Sequence, residues 1–264
     1  MRIGSHSLSG SPVVAHSRGT LLLINLLILL LIGANNASSQ VTQTIGPGSL
    51  GTQVNLSGNV YEITGGTRPG NGPNLFHSFG DFSIAAAEIA RFQTTNLAPD
   101  ATIGNILGRV TGGNPSNIFG TINSIRYYPS ANLFLMNPAG IVFGPNAVLN
   151  VGGSVNFTTA DYLRLTDGVR FEAIPSAQDA LLSTASVNAF GFLGSNPAAI
   201  IIQGGQLTVA NGTGLSLIGG DVTIAPDPDS GATSALIAPS GQINLVSVGS
   251  PGEVLFPSLA TSPN

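Results

Sequence analysis

The sequence predicts an all-β protein built as a parallel β-helix, a solenoid of short strands. Three observations support this prediction. The 264 residues include 35 glycines and 17 prolines, only 8% of residues are charged, and short apolar strands recur every seven or eight residues. Three such steps make a coil of about 22 residues, the size of one β-helix rung. Hairpin sandwiches usually space their strands more widely, at about 8–12 residues.

The low charge fits this architecture and excludes several classes of function. All eight basic residues are arginine and the net charge is −4, so the chain lacks a basic face for nucleic acid. Without cysteine it has neither disulfides nor a thiolate metal site. Equivalent side chains of a solenoid stack about 4.8 Å apart. Asparagine, serine and threonine therefore suit its surface better than like charges do.

The first element along the chain is a secretory signal, predicted over residues 1–39. Residues 21–32 form an apolar run broken by one asparagine, which is shorter than the about 20 residues of a membrane span. Small residues follow, and the Ala37-Ser38-Ser39 pattern places cleavage before Gln40. The alternative is an uncleaved membrane anchor. Cleavage would leave six arginines against twelve acidic residues, a net charge of −6, with His77 as the only histidine.

The repeat follows the signal and is clearest in the middle of the chain. There Leu135, Val142, Leu149 and Asn156 mark strands separated by steps of seven residues. Further strands with a similar step are marked by Leu207, Leu215, Val222, Leu236 and Ile243. Glycine pairs between strands allow sharp bends, because glycine adopts positive φ at low cost. At this repeat length, the roughly 225 residues after the signal would form about ten rungs.

Three segments interrupt the repeat. Residues 69–73 (PGNGP) predict a rigid loop ahead of an aromatic cluster. Residues 161–188 carry more charge and include Ser176, which could cap a short helix; we expect an extended excursion outside the solenoid there. The C-terminal residues contain three prolines and no further repeat. We therefore predict one domain over residues 40–254 and an irregular tail over residues 255–264.

Two stretches are more specific than the periodicity. Residues 71–84 read NGPNLFHSFGDFSI, and residues 131–163 read ANLFLMNPAGIVFGPNAVLNVGGSVNFTTADYL. Together with the signal and the opening VTQTIGPGSLGTQV, they resemble the N-terminal secretion domain of filamentous haemagglutinins, most closely the cyanobacterial type. These are the exoproteins of bacterial two-partner secretion (TPS). The resemblance runs from about Gln40 to Val254.

This resemblance implies a right-handed parallel β-helix with a cap over its N-terminal end. It also implies a partner, an outer-membrane barrel transporter whose periplasmic domains recognise the chain and which threads it out to fold at the surface. The protein would be secreted or held at the cell surface of a Gram-negative bacterium, without a cofactor. Chains of this family usually continue into an adhesin or toxin passenger, and such a missing passenger would be the part that contacts host or matrix glycans.

The resemblance also places the recognition and folding motifs. The residues expected to shape the transporter-facing surface are Asn74, Leu75, Phe76, His77, Phe79, Phe82, Asn137, Pro138, Gly140, Ile141, Phe143 and Gly144. The family hallmark Asn-Pro-Asn-Gly falls on residues 137–140, where Ala139 replaces the second asparagine. Pro138 and Gly140 still favour a tight turn. Any turn hydrogen bond from that asparagine side chain would be lost.

Two other functions stay open: a free-standing surface adhesin that binds glycans along its β-helix, and a β-helix polysaccharide lyase or hydrolase. The acidic residues argue against the enzyme because they are scattered along the chain. Glycoside hydrolysis needs two carboxylates about 5–9.5 Å apart. Only Asp227 and Asp229 are close-set, and they lie in a Ser/Gly loop that favours a turn over a metal site. We predict no catalytic and no metal-binding residues.

His77 beside Ser78 invites a hydrolase interpretation. Adjacent residues of a strand point to opposite faces, so these two side chains are poorly placed to form a base–nucleophile pair. We expect Phe76, Phe79 and Phe82 to pack together under the cap, with His77 in a local hydrogen bond.

Overall fold

The computed structural model describes residues 39–46 and 48–256. Residues 1–38 of the predicted signal and residues 257–264 of the predicted tail lie outside the described residues. The described part contains two short 3₁₀ helices, Pro69–Asn71 in the predicted rigid loop and Ala177–Leu181. Neither has the length and apolarity that a helix needs to span a bilayer.

The rest of the described secondary structure is β-strand. In chain order the strands are β1 (Gln40–Gln43), β2 (Thr52–Ser57), β3 (Val60–Gly65), β4 (Asn74–Ser83), β5 (Ile89–Phe92), β6 (Asn105–Val110), β7 (Ser116–Ile118), β8 (Thr121–Asn123), β9 (Asn132–Met136), β10 (Ile141–Phe143), β11 (Val148–Asn150), β12 (Val155–Thr158), β13 (Tyr162–Leu165), β14 (Arg170–Glu172), β15 (Val187–Phe192), β16 (Ile200–Gln203), β17 (Gln206–Thr208), β18 (Leu215–Gly219), β19 (Val222–Ala225), β20 (Ala235–Ile237), β21 (Ile243–Ser247) and β22 (Gly252–Leu255).

Three mainly parallel sheets form the sides of the solenoid. Sheet 1 has the strand order β1-β4-β6-β9-β12-β18-β21, sheet 2 the order β19-β16-β10-β7, and sheet 3 the order β11-β8-β5-β3-β2. The pair β17-β20 continues sheet 3 beside β11. From β6 to β12 the chain visits sheets 1, 2 and 3 in turn, and after an excursion it resumes the same order from β16 to β21. The predicted β-helix is therefore confirmed.

The strand registers show where the predicted repeat holds. Leu133 of β9 pairs with Val155 of β12, which is the predicted coil length, because the seven-residue step is kept through β9, β10, β11 and β12. The first coil is longer, since Asn74 of β4 pairs with Asn105 of β6. In the described residues, six parallel strands of sheet 1 mark six rungs. The prediction of about ten rungs is wrong, because most turns are longer than the shortest step and residues 161–192 leave the solenoid.

Antiparallel strands close the N-terminal end. Strand β1 runs antiparallel to β4, with Val41 opposite Phe82, and β2 runs antiparallel to β3 along its whole length. These two strands, which we call the cap, occupy the edges of sheets 1 and 3 that would otherwise present unpaired backbone groups. The cap implied by the family resemblance is confirmed.

The excursion forms an antiparallel sheet outside the solenoid, and the later strand β22 joins it. This outer sheet has the strand order β14-β13-β15-β22, so the predicted departure from the solenoid is confirmed. Within it, the Ser176 hydroxyl accepts a hydrogen bond from the Gln178 N–H and caps the 3₁₀ helix Ala177–Leu181. Leu255, which the sequence placed in the tail, is the last residue of β22. The Phe256 N–H then donates to the Asn188 carbonyl at 2.9 Å.

Two apolar cores result from this arrangement. The inner core lies within the three sheets of the solenoid. The outer core includes Phe76, Phe134 and Phe190 and lies between the outer face of sheet 1 and the outer sheet. Sheet 1 is therefore covered on both faces, which explains why all five residues of β18 are buried. Sheets covered in this way read as continuous apolar runs rather than as alternating ones.

Candidate functional site

Asn74 begins a ladder of side-chain hydrogen bonds along sheet 1. The Asn105 amide donates to Asn74 Oδ1 at 2.9 Å, and the Asn132 amide donates to Asn105 Oδ1 at 3.0 Å. The Ser154 backbone N–H completes the series by donating to Asn132 Oδ1 at 2.9 Å. At the other end, the Asn74 amide donates to two backbone carbonyls of the excursion, at 2.8 and 3.1 Å. This asparagine ladder joins four rungs to the outer layer.

His77 lies in the inner core. Its Nδ1 atom is 3.2 Å from Thr52 Oγ1, so the predicted local hydrogen bond is made with strand β2 of the cap. Its ring stacks on Phe79 and meets the edge of Phe92, with centroids 5.9 and 5.5 Å away. Burial lowers the pKa of His77 to about 3. The imidazole is therefore neutral at physiological pH. Its hydrogen bond to Thr52 joins the cap to the first rung.

The phenylalanines of the same strand divide between the two cores. Phe79 and Phe82 belong to the inner core, with ring centroids 4.9 Å apart. Phe76 belongs to the outer core, where it meets Phe171 at 5.1 Å. The expectation that all three pack together is wrong for Phe76. An irregularity in the β1–β4 pairing shifts the alternation of side chains, so Phe79 and Phe82 face the same way despite their odd spacing.

The hallmark stretch at residues 137–140 forms a tight turn closed by Asn137. Its carbonyl accepts from the Gly140 N–H and its side-chain Oδ1 accepts from the Ala139 N–H, both at 3.0 Å. Gly140 has φ +115°, and a Cβ atom there would lie 3.3 Å from the Ala199 carbonyl oxygen. The turn therefore needs glycine at residue 140. It uses only the backbone of Ala139.

Polar side chains join the two specific stretches at the corner between sheets 1 and 2. The Asn137 amide donates to the Asn114 carbonyl and to Ser116 Oγ, each at 2.9 Å. The Asn114 amide in turn donates to the Asp81 carboxylate at 2.9 Å. Asp81, Asn114 and Asn137 belong to successive rungs. Stretches that are distant in sequence are thus neighbours in space.

The remaining predicted site residues serve packing. Leu75, Ile141 and Phe143 belong to the inner core. Gly144 lies where a Cβ atom would come within 2.5 Å of the Phe119 ring. Of the twelve predicted residues, only Pro138 is partly exposed and the other eleven are buried. In the folded domain these residues shape the solenoid, and little of their surface is available to a partner.

Arg109 is the central residue that the sequence did not reveal. Its side chain is fully buried and forms a bidentate pair with Asp179, at 2.7 and 2.6 Å. The same guanidinium donates to the Gly48 carbonyl at 2.8 Å and to the Glu172 carbonyl at 2.9 Å. Its Nε donates to Ser78 Oγ at 2.9 Å. One side chain therefore ties together the N-terminal segment, two rungs and the excursion.

The only signal for Arg109 in the sequence is that it is the one charged residue of an apolar strand. A buried guanidinium needs a carboxylate partner, but nothing local selects Asp179, which lies far along the chain in the excursion. The hydrogen bond from Arg109 also holds the Ser78 hydroxyl on the outer face of sheet 1. The His77 side chain lies on the opposite face, in the inner core. These two residues are not a base–nucleophile pair.

The acidic residues show no arrangement suited to catalysis in the part of the chain that the structure describes. No group of three metal-ligating side chains occurs there. The Asp227 carboxylate accepts from the Asp229 and Ser230 N–H groups, each at 2.8 Å. The backbone bond from Ser230 contributes most to holding the Asp227 pKa below its usual value. The close-set pair of aspartates closes a turn, as its sequence context predicted.

The fold and the buried network define a class of protein: a capped, all-β solenoid with an outer antiparallel layer and internal polar ladders. Residues 39–262 match the family model of the TPS secretion domain. The match spans well over half of the chain, so the protein belongs to this family. The family is one of secretion domains rather than enzymes, and the role of the chain is in two-partner secretion. The resemblance carried by the two specific stretches is confirmed.

Comparison with solved structures found a match to the secretion domain of HMW1 from Haemophilus influenzae. The TM-score is 0.48 and the sequence identity is 18%, over 82% of this chain and 47% of that one. The present chain thus spans about half the length of that structure. A comparison with curated proteins found no match.

Proposed function

We propose that an outer-membrane TPS transporter recognises this domain in the periplasm, and that the cap and first rungs seed β-helix folding outside the cell. Membership of the TPS family supports the general role. The observation that carries the folding step is the corner where Asp81, Asn114 and Asn137 join the two specific stretches in the folded domain.

Burial of these stretches indicates the state in which they are recognised. Eleven of the twelve residues are buried in the folded domain, so a transporter can contact their side chains only before the domain folds. We therefore propose that the transporter binds the stretches in the unfolded chain. The same residues then become the core and the rung contacts after export. The absence of cysteine suits a chain that must cross an oxidising compartment unfolded.

The two ends of the solenoid differ, and this difference supports directional folding. Thr44, which directly follows the cap strand β1, holds the first rungs, since its Oγ1 lies 2.8 Å from Ser78 Oγ and 3.1 Å from Thr111 Oγ1. At the other end, Ile243 and Leu245 of β21 are 40% and 48% exposed. In the described residues, β21 is the last strand of sheet 1. New rungs are therefore added toward the C-terminus, each on the edge of the one before.

Export in a strain that carries the cognate transporter tests the proposal. Phe76→Ala and Asn137→Ala alter the two stretches, and Leu217→Ala is the matched control because Leu217 is fully buried outside them. We expect the first two variants to accumulate in the periplasm while Leu217→Ala reaches the medium. Urea unfolding of each purified variant gives the stability against which export is compared.

Undiminished export of Phe76→Ala and Asn137→Ala would refute recognition through these stretches. Equal loss of export in Leu217→Ala would show that the stability of the fold controls export, whichever residue lowers it.

A further inference from the structure

A cleft of about 410 Å³ opens beside the first two rungs, at the ends of strands β3 and β5. The lining residues that matter here are Arg68, Leu75, Gln93, Asp100, Ile103 and Tyr128. Its volume falls within the roughly 300–1,000 Å³ of small-molecule sites. Apart from Leu75, none of the lining residues belongs to the twelve residues proposed for export, and the cleft lies away from the corner that joins the two specific stretches.

Two buried polar side chains line the cleft and lack partners in the described part of the chain. Gln93 is 6% exposed and Tyr128 is 4% exposed. Neither the amide of Gln93 nor the hydroxyl of Tyr128 hydrogen-bonds to another described residue, and neither group is among the described buried polar atoms that lack a partner, so their polar ends are not sealed in the interior. Burial raises the pKa of Tyr128 to about 12, so its hydroxyl keeps its proton and can donate. Both groups are placed to bind a ligand in the cleft.

The charged residues of the cleft neutralise each other. Arg68 Nη1 lies 2.9 Å from the Asp100 carboxylate, and its other donors bind the Gly72 carbonyl and Thr102 Oγ1, each at 2.7 Å. An anion would have to compete with Asp100 for this guanidinium. Leu75, 5% exposed, adds an apolar surface to the lining. The cleft therefore combines hydrogen-bond donors and acceptors with an apolar wall and no net charge.

We propose that this cleft binds a neutral saccharide. Sugar hydroxyls both donate and accept, which matches the amide of Gln93 and the hydroxyl of Tyr128. The C–H face of a sugar ring matches the apolar surface that Leu75 adds to the lining. The site is complete only when the rungs are stacked, so binding belongs to the folded domain after export and is independent of recognition by the transporter.

Saturation-transfer NMR and titration calorimetry on the full chain test the proposal. The probes are glucose, galactose, mannose and N-acetylglucosamine, with glucuronate as the anionic comparison. Tyr128→Phe removes one hydroxyl that holds no described partner, so the fold is kept. We expect the Kd of the bound sugar to rise about tenfold, the effect of one lost hydrogen bond. Tyr127→Phe is the matched control, because Tyr127 is 5% exposed but does not line the cleft.

A second variant, Gln93→Leu, tests the other polar group, with circular dichroism as the check on folding. Loss of binding in this variant and in Tyr128→Phe, with binding retained in Tyr127→Phe, supports the site. The proposal is overturned if none of the neutral sugars binds, if Tyr128→Phe binds as well as Tyr127→Phe, or if glucuronate binds more tightly than glucose. Export assays test recognition by the transporter, whereas the binding measurements test the saccharide site. Failure of one proposal can therefore be distinguished from failure of the other.

Discussion

Replacing His77 by glutamine should remove an acid sensitivity that this one side chain gives to the fold. His77 is 1% exposed, and burial lowers its pKa from 6.5 to about 3. In the folded protein the ring therefore stays neutral down to about pH 3. In the unfolded chain the same ring is in water and takes up a proton near pH 6.5.

The direction and size of the effect follow from this difference in proton binding. Between pH 6.5 and 3 the unfolded chain binds the proton and the folded chain does not, so the free energy of unfolding falls as the pH falls. Above pH 6.5 both states are neutral and the effect vanishes. Each pH unit costs about 1.36 kcal/mol, so the loss between pH 6.5 and 4 is about 3 kcal/mol. The whole free energy of unfolding of a typical domain is about 5–15 kcal/mol.

Urea unfolding of the chain from Gln40 onward, the predicted start after cleavage, at pH 7, 5.5 and 4 measures this loss of free energy of unfolding. Glutamine retains a polar group near Thr52 but does not titrate, so His77→Gln should lose about 3 kcal/mol less than the wild type between pH 7 and 4. The carboxylates are the same in both chains and cancel in the difference. A difference in the free energy of unfolding that is the same at every pH does not affect this comparison. Parallel pH profiles would refute the argument, since they would mean that His77 titrates alike in both states.

The other predictions concern stability and are measured by urea unfolding. Asn105→Ala interrupts the asparagine ladder and should lower the free energy of unfolding by about 2–4 kcal/mol. Asn146→Ala, at an exposed position, should leave it unchanged. Equal urea midpoints for these two variants would contradict a stabilising role of the ladder. Gly140→Ala should cost about 1–3 kcal/mol because of its positive φ, whereas Gly194→Ala, with open space around it, should not. Arg109→Met leaves a carboxylate without its guanidinium and should cost about 3–5 kcal/mol, and an unchanged midpoint would show that the buried pair adds no net stability.

The positions of the strands could be predicted because their cause is local. Leu135, Val142 and Leu149 alternate with small turn residues, and each strand needs only its own residues to show the pattern. The number of rungs could not be predicted in the same way. It depends on how many residues each turn contains and on the excursion, whose antiparallel strands carry similar alternation.

The candidate site was predicted as two stretches, but the orientation of its side chains was not. Phe76 and Phe82 belong to the same strand, yet they face different cores because β1 pairs irregularly with β4. That pairing joins residues that are distant in sequence, such as Val41 and Phe82. The residues of the stretch do not by themselves show this irregular pairing.

The sequence alone determined the solenoid class, the seven-residue step and the family, because all three depend on residue types at short spacing. Only the tertiary structure decided which groups meet: Arg109 with Asp179, and Asn74 with Asn105. The physical reason is that a hydrogen bond or ion pair forms between neighbours in space. In a solenoid, the length of every intervening turn sets which residues stack, so a local pattern can show that a polar side chain is buried without naming its partner.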